Sequence, residues 1–205
     1  ESYGTTRGAA IAAKLFDHGL QLNGIILISV AMSFQTIAMD ATAGYMFHRG
    51  NELPFLTHLP TYAATAWYHV ALSNKHHSKK LRDLLDEVEE FAMGQYWSAL
   101  VRGDRIDPAE RKKVVKKVAE YTGISEEYVD RYDMRIHIMR FCKELLRSER
   151  KTVGRLDSRF TGFDRVVDGD SLESDPAGNL ATGPMASALN AYVRGELGFE
   201  TDDFY

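Results

Sequence analysis

The sequence predicts an α/β fold at its start and a large, mainly helical region after it. The α/β prediction rests on a helix rich in small residues over positions 5–17 and an apolar, β-branched run over positions 25–30. Such a run is typical of a parallel strand buried on both faces. The helical prediction rests on amphipathic patterns from about residue 50 onward.

The first helix and strand each have a local sequence reason. Four alanines let the helix backbone lie close against a sheet, and Gly19 can end the helix in the left-handed conformation. Asn23-Gly24 predicts a turn before the strand. Together with a strand leading into Ser2, these elements make one βαβ step.

The helical region is predicted from periodicity and capping residues. Asp107 is an N-cap followed by Pro108, and Gly123 closes that helix. Further helices are predicted at residues 61–69, 81–102, 125 onward, 133–147 and 186–197.

These elements divide the chain into three parts. Residues 1–48 are predicted to belong to an α/β core, 49–185 to a helical insertion, and 186–205 to a helix that returns toward the core. One strand cannot form a sheet alone, so we expect most of the sheet to lie outside these 205 residues.

Composition excludes several function classes. A formal net charge of −4 gives no electrostatic case for binding nucleic acid. The single cysteine, Cys142, excludes an internal disulfide framework and a cysteine-based metal site. Residues 19–39 carry no charge, but their apolar run is far shorter than a membrane span of roughly 20 residues, so no span is predicted.

The strongest chemical motif is Glu1-Ser2-Tyr3-Gly4. It matches the second half of the G-x-S-x-G nucleophile elbow, in which a serine occupies a tight strand-to-helix turn. The backbone N–H of Tyr3 would then face the oxyanion hole. The alternative is that Ser2 only caps the first helix.

Glu1 would repel the developing negative charge unless it stays protonated or binds a hydrogen-bonding group. That favours a substrate with a carboxylate at acidic pH; the alternative is a glutamate without function. None of the seven histidines has a convincing base setting, and no metal-ligand spacing occurs, so neither metal nor cofactor is predicted.

At Glu1-Ser2-Tyr3-Gly4-Thr5-Thr6-Arg7 the sequence resembles the bacterial branch of the serine carboxypeptidases, peptidase family S10. Weaker similarity continues at residues 121–125, 156–159 and 190–194. The resemblance implies an α/β-hydrolase fold with a helical cap and a Ser-Asp-His triad. It implies Ser2 as nucleophile, Tyr3 in the oxyanion hole and substrate pocket, and Glu1 as ligand of the substrate's C-terminal carboxylate.

The resemblance leaves gaps. No position matches the family's triad Asp and His, so we expect a fragment without turnover by itself, and peptides with a free C-terminal carboxylate as substrates of the whole protein. Two alternatives remain: an esterase or acyltransferase of the same fold, and a non-catalytic helical interaction module. The family and the single cysteine favour a periplasmic or secreted protein.

Overall fold

The computed structural model describes residues 2–36, 50–170 and 172–199, which are largely helical. Nine α-helices occur in this described part. They are α1 Tyr3–Asp17, α2 Leu53–Tyr68, α3 Asn74–His77, α4 Leu81–Phe91, α5 Trp97–Arg102, α6 Pro108–Thr122, α7 Glu126–Arg131, α8 Ile138–Glu144 and α9 Pro176–Asn190. Two strands, β1 Lys151–Val153 and β2 Thr161–Phe163, precede α9.

Helix α2 lies at the centre of the core, where it packs against α4 and α6. Its buried residues include Leu59, Tyr62 and Ala66, which recur at helical spacing on one face. Tyr62 stacks on Phe141 of α8 at a centroid distance of 4.1 Å, and its hydroxyl donates to the Ile136 carbonyl. The main hydrophobic cluster draws all its members from residues 56–153.

The ends of α6 and α7 form as the sequence predicts. Asp107 Oδ1 accepts hydrogen bonds from the N–H groups of Ala109 and Glu110, at 2.9 and 3.1 Å. Gly123 ends α6 at φ 70°, the left-handed conformation that glycine adopts without steric cost. The Ser125 hydroxyl caps α7 by accepting from the Tyr128 N–H.

The helix predicted over residues 81–102 is interrupted by a π-helical turn, Ala92–Tyr96, between α4 and α5. Phe91 and Tyr96 are five residues apart, so in an α-helix they would not share a face. The wider π turn brings their rings into a stack at 5.9 Å, with both side chains buried. Aromatic packing therefore accounts for the interruption.

The predicted α/β fold class is wrong for the described residues. Their only sheet is the antiparallel pair β1–β2, with Thr152 opposite Gly162, and they contain no parallel strands. Residues 25–30, predicted as a buried strand, form no strand, and Ile26 is 90% exposed. No strand within residues 2–36, 50–170 or 172–199 pairs with this run, so its β-branched side chains are not packed in a sheet there.

Residues 2–33 lie outside the main core, and Thr5 is their one buried residue. Their exposed large apolar side chains are Tyr3, Ile11, Phe16, Leu20, Leu22, Ile25, Ile26, Ile28, Val30 and Met32. Among the described helices, none is both long and apolar enough to cross a bilayer. The division into three parts at residues 48 and 185 remains a prediction.

Candidate functional site

Ser2 immediately precedes α1 and has an unusual backbone conformation, with φ 49° and ψ −128°. A positive φ is uncommon for residues other than glycine, and this ψ also lies outside the left-handed helical region. A strained conformation of this kind costs on the order of 1–3 kcal/mol, and such strain is concentrated at functional sites. A nucleophile elbow also places a strained serine at the start of a helix, in that case directly after a strand.

Gly103 shows how unusual this backbone is for a serine. It has nearly the same angles, φ 51° and ψ −126°, at the end of α5. Arg150, in contrast, has φ 55° and ψ 40°, the left-handed conformation that side chains tolerate better. Ser2 therefore has backbone angles close to those of a glycine in the same chain.

Hydrogen bonds hold Ser2 in this conformation. Its N–H donates to the Ile28 carbonyl at 3.2 Å, and its carbonyl accepts from the Thr5 N–H at 2.9 Å. The Thr5 hydroxyl also donates to the Ser2 carbonyl, at 2.6 Å, and accepts from the Ala31 N–H at 3.0 Å. Thr6 Oγ1 donates to the Ala31 carbonyl.

Sequence reasoning assigned no role to the two threonines. Thr5 is only 1% exposed although it lies in an otherwise exposed helix. A buried hydroxyl that bonds both Ser2 and residue 31 ties the turn to the following chain. No sequence signal indicated this role, because a threonine in the first turn of a helix is not by itself an indication of burial.

The side chain of Ser2 does not cap α1. Ser2 occupies the N-cap position, but its hydroxyl accepts no hydrogen bond from the first turn. N-cap residues usually have φ and ψ in the β region, which Ser2 does not. The described structure therefore shows no side-chain cap by Ser2, which is the bond that the capping alternative requires, and the residue as a whole is exposed.

Tyr3 and Glu1 complete the predicted site residues. Tyr3 is the first residue of α1, and its side chain is 59% exposed. The first N–H groups of a helix point back toward its N-terminal end, where the helix dipole favours negative charge. Glu1 lies outside the described residues.

The described histidines make their contacts away from Ser2. His58 Nδ1 lies 2.6 Å from the Pro54 carbonyl, and His69 Nε2 lies 2.6 Å from the Ser158 carbonyl. His137 follows Asp133 by four residues, a spacing that predicts an exposed pair on one helix face, but it is buried beside Phe55. In the part of the chain that the structure describes, no imidazole or carboxylate is hydrogen-bonded to the Ser2 hydroxyl.

His76 is the least expected of the histidines. The sequence predicts a solvated hinge at His76-His77, yet His76 is 3% exposed and packs edge-on against Tyr121. Burial lowers its pKa, with Lys79 and Lys75 acting in the same direction. These surroundings disfavour the charged imidazolium, whereas Glu120, whose Oε2 lies 3.7 Å from Nε2, acts in the opposite direction on the pKa.

No group of three or more His, Cys, Asp or Glu side chains among the described residues is arranged to hold a metal ion. Comparison with family models, curated proteins and solved structures gives no match to this chain. The resemblance to serine carboxypeptidases therefore remains a prediction from the motif.

Proposed function

We propose that Ser2 is the nucleophile of a serine-type carboxypeptidase. The observation that supports this most is the strained backbone of Ser2 at the start of α1, combined with a hydroxyl that does not cap the helix. A serine held in this way has its hydroxyl exposed at the turn, where a substrate carbonyl can approach.

The chemistry follows from this geometry. Ser2 Oγ attacks the carbonyl carbon of the last peptide bond, while a general base takes the hydroxyl proton. The Tyr3 N–H donates to the resulting oxyanion, and the dipole of the 15-residue helix α1 favours the negative charge there. The departing amine takes a proton from the base, and water then hydrolyses the acyl-enzyme.

The specificity for a C-terminal residue comes from Glu1. A carboxyl group next to the nucleophile can share a proton with the free carboxylate of the substrate. This predicts activity at acidic pH, where the shared proton is present. Glu1→Gln should shift the pH optimum or weaken the binding of peptides with a free C-terminal carboxylate. An unchanged pH profile with both free and amidated peptides would exclude this role.

The base is the missing component of this proposal. No histidine in the described part of the chain is hydrogen-bonded to Ser2, so labelling should be measured on the full-length protein. A fluorophosphonate probe should label the wild type and not Ser2→Ala. The matched control Ser29→Ala alters another serine with positive φ and should label normally. Labelling of Ser2→Ala at the wild-type rate would refute the proposal.

Thr5 provides a second test, because it positions Ser2 without contacting substrate. Thr5→Val keeps the volume and removes the hydroxyl that bonds the Ser2 carbonyl and the Ala31 N–H. We expect labelling to slow by about tenfold, because both hydrogen bonds of the Thr5 hydroxyl are lost and each contributes about 1 kcal/mol. Thr36→Val, at an exposed hydroxyl, is the control. Equal rates for the two variants would remove Thr5 from the account.

An esterase or acyltransferase would use the same nucleophile. To separate these activities, the rate of hydrolysis that depends on Ser2 is measured for an ester and for a peptide that carry the same side chain. Cleavage of esters without any peptide hydrolysis would replace the carboxypeptidase assignment.

A non-catalytic helical interaction module is the second candidate. The observation in its favour is that described residues 2–36 contain no sheet and expose many apolar side chains. This function predicts no probe labelling of the wild-type protein and no effect of Ser2→Ala on any activity. Ser2-dependent labelling would rule it out.

A further inference from the structure

A second candidate site lies between α4, the π turn Ala92–Tyr96 and α6. The cleft has a volume of about 400 Å³, within the range of small-ligand sites. It is lined by Glu87, Glu90, Phe91, Gly94, Gln95, Lys117 and Tyr121. π-Helical turns are rare and occur frequently at functional sites, and this one forms a wall of the cleft.

The cleft contains an aromatic surface suited to a cation. Phe91 and Tyr121 are 5% and 2% exposed, and their ring centroids lie 5.5 Å apart. The Lys117 ammonium lies over both rings, 5.4 Å from the Phe91 centroid and 5.2 Å from the Tyr121 centroid. Both distances are within the roughly 6 Å range of cation–π attraction.

Two polar side chains near these rings, one of them a carboxylate, have no partner among the described residues. The Glu90 carboxylate and the Gln95 amide form no hydrogen bond or ion pair with the described residues. Glu87 is already paired with Lys79, which is the main cause of its lowered pKa. Glu90 therefore offers an unpaired carboxylate and Gln95 an unpaired acceptor at a site where an ammonium already lies over two rings.

We propose that this cleft binds an organic ammonium ion, and that the Lys117 ammonium occupies the position of the ligand cation. Phe91 and Tyr121 contact the ligand's alkylated nitrogen, and Glu90 balances its charge. Lys117 is exposed and reaches the rings by a flexible stem, so it can move into solvent when a ligand binds. Its bond to the Tyr121 hydroxyl, 3.1 Å, is then replaced by water. The site does not depend on the serine chemistry proposed above.

The test is a titration with tetramethylammonium chloride in which NMR monitors the ring resonances of Phe91 and Tyr121. A titration with sodium chloride at the same ionic strength is the control. Lys117→Ala should bind about tenfold more tightly than wild type, because it removes a tethered competitor and a like charge. Lys117→Gln keeps much of the stem without the charge and should behave similarly. Lys116→Ala, the neighbouring exposed lysine, is the control and should bind as wild type does.

Glu90→Gln in the Lys117→Ala background should weaken binding about threefold, as expected for a partly solvated ion pair. Glu127→Gln, on α7 and outside the cleft, should have no effect. A small quaternary ammonium ion and a methylated lysine side chain carry the same cationic group. A second titration therefore uses a peptide that contains trimethyl-lysine. Tighter binding of the peptide would assign the ligand to a protein partner. Equal affinity in Lys117→Ala and Lys116→Ala, or shifts that sodium reproduces, would overturn the proposal.

Discussion

Lys143 and Asp164 form an ion pair that is almost completely buried. The side chains are 0% and 2% exposed, and Lys143 Nζ donates to Asp164 Oδ1 at 2.5 Å and to the Val166 carbonyl. The pair joins α8 to the chain after β2. Asp164 Oδ2 has no hydrogen-bond partner in the described part of the chain, so Lys143 is the carboxylate's main compensation.

Replacing Lys143 with Met should strongly destabilise the protein. The methionine fills most of the lysine volume but leaves the Asp164 carboxylate buried without a counter-ion. Breaking a buried pair in this way costs about 3–5 kcal/mol. Loss of the hydrogen bond to the Val166 carbonyl is part of that cost.

The double variant Lys143→Met with Asp164→Leu separates the two contributions. Removing both charges together is often neutral, since the desolvation cost of the pair disappears as well. The unpaired Val166 carbonyl should leave a deficit of about 1–3 kcal/mol. The backbone bond from the Asp164 N–H to the Arg150 carbonyl is unaffected by either change.

The assay is urea denaturation followed by circular dichroism at pH 7, with the free energy of unfolding extrapolated to water. Arg82→Met, in an exposed pair with Asp86, is the control and should leave the midpoint unchanged. A loss below about 1 kcal/mol in Lys143→Met would contradict the reasoning, since the ammonium would then not be compensating a buried carboxylate. A double variant less stable than the single one would contradict it as well.

Three further results are expected. Asp107→Ala should cost about 1 kcal/mol of unfolding free energy, because two N–H groups of α6 lose their acceptor, whereas Asp104→Ala should have no effect. Burial holds the pKa of His76 below its value in the unfolded chain. The stability that the neutral imidazole contributes is therefore present above pH 6.5 and is lost as the pH falls through the pKa of the folded state. In a plot of unfolding free energy against pH, His76→Gln should flatten this region. Burial raises the pKa of Cys142 to about 12, so iodoacetamide should modify it only after denaturation. Rapid modification of the native protein would show that Cys142 is accessible.

Much of the helical region could be predicted because its signals are local. Asp107 and Gly123 mark the ends of α6 by side-chain capping and backbone conformation, which depend only on neighbouring residues. The π turn could not be predicted, since it depends on how Phe91 and Tyr96 pack in three dimensions. The helix predicted at residues 133–147 begins only at Ile138, because Asp133 and Met134 have positive φ.

The predicted strand at residues 25–30 failed for a different reason. A run of β-branched residues indicates burial between neighbouring strands, but the described residues supply no such neighbours. At Ser2 the motif predicted a tight strand-to-helix turn; the described residues show the helix and a positive φ at Ser2, and their only strands are β1 and β2. The role of Thr5 was missed because a threonine in a helix normally carries no signal of burial.

The most direct measurement of the central claim is peptide mapping of the fluorophosphonate-treated protein by mass spectrometry. Trypsin cuts after Arg7. The peptide that ends there contains four side-chain hydroxyl groups within residues 2–7, those of Ser2, Tyr3, Thr5 and Thr6. If Ser2 is the nucleophile, a single adduct forms on Ser2 and is lost in Ser2→Ala. An adduct on any other residue, with the Ser2 peptide unmodified, would contradict this role.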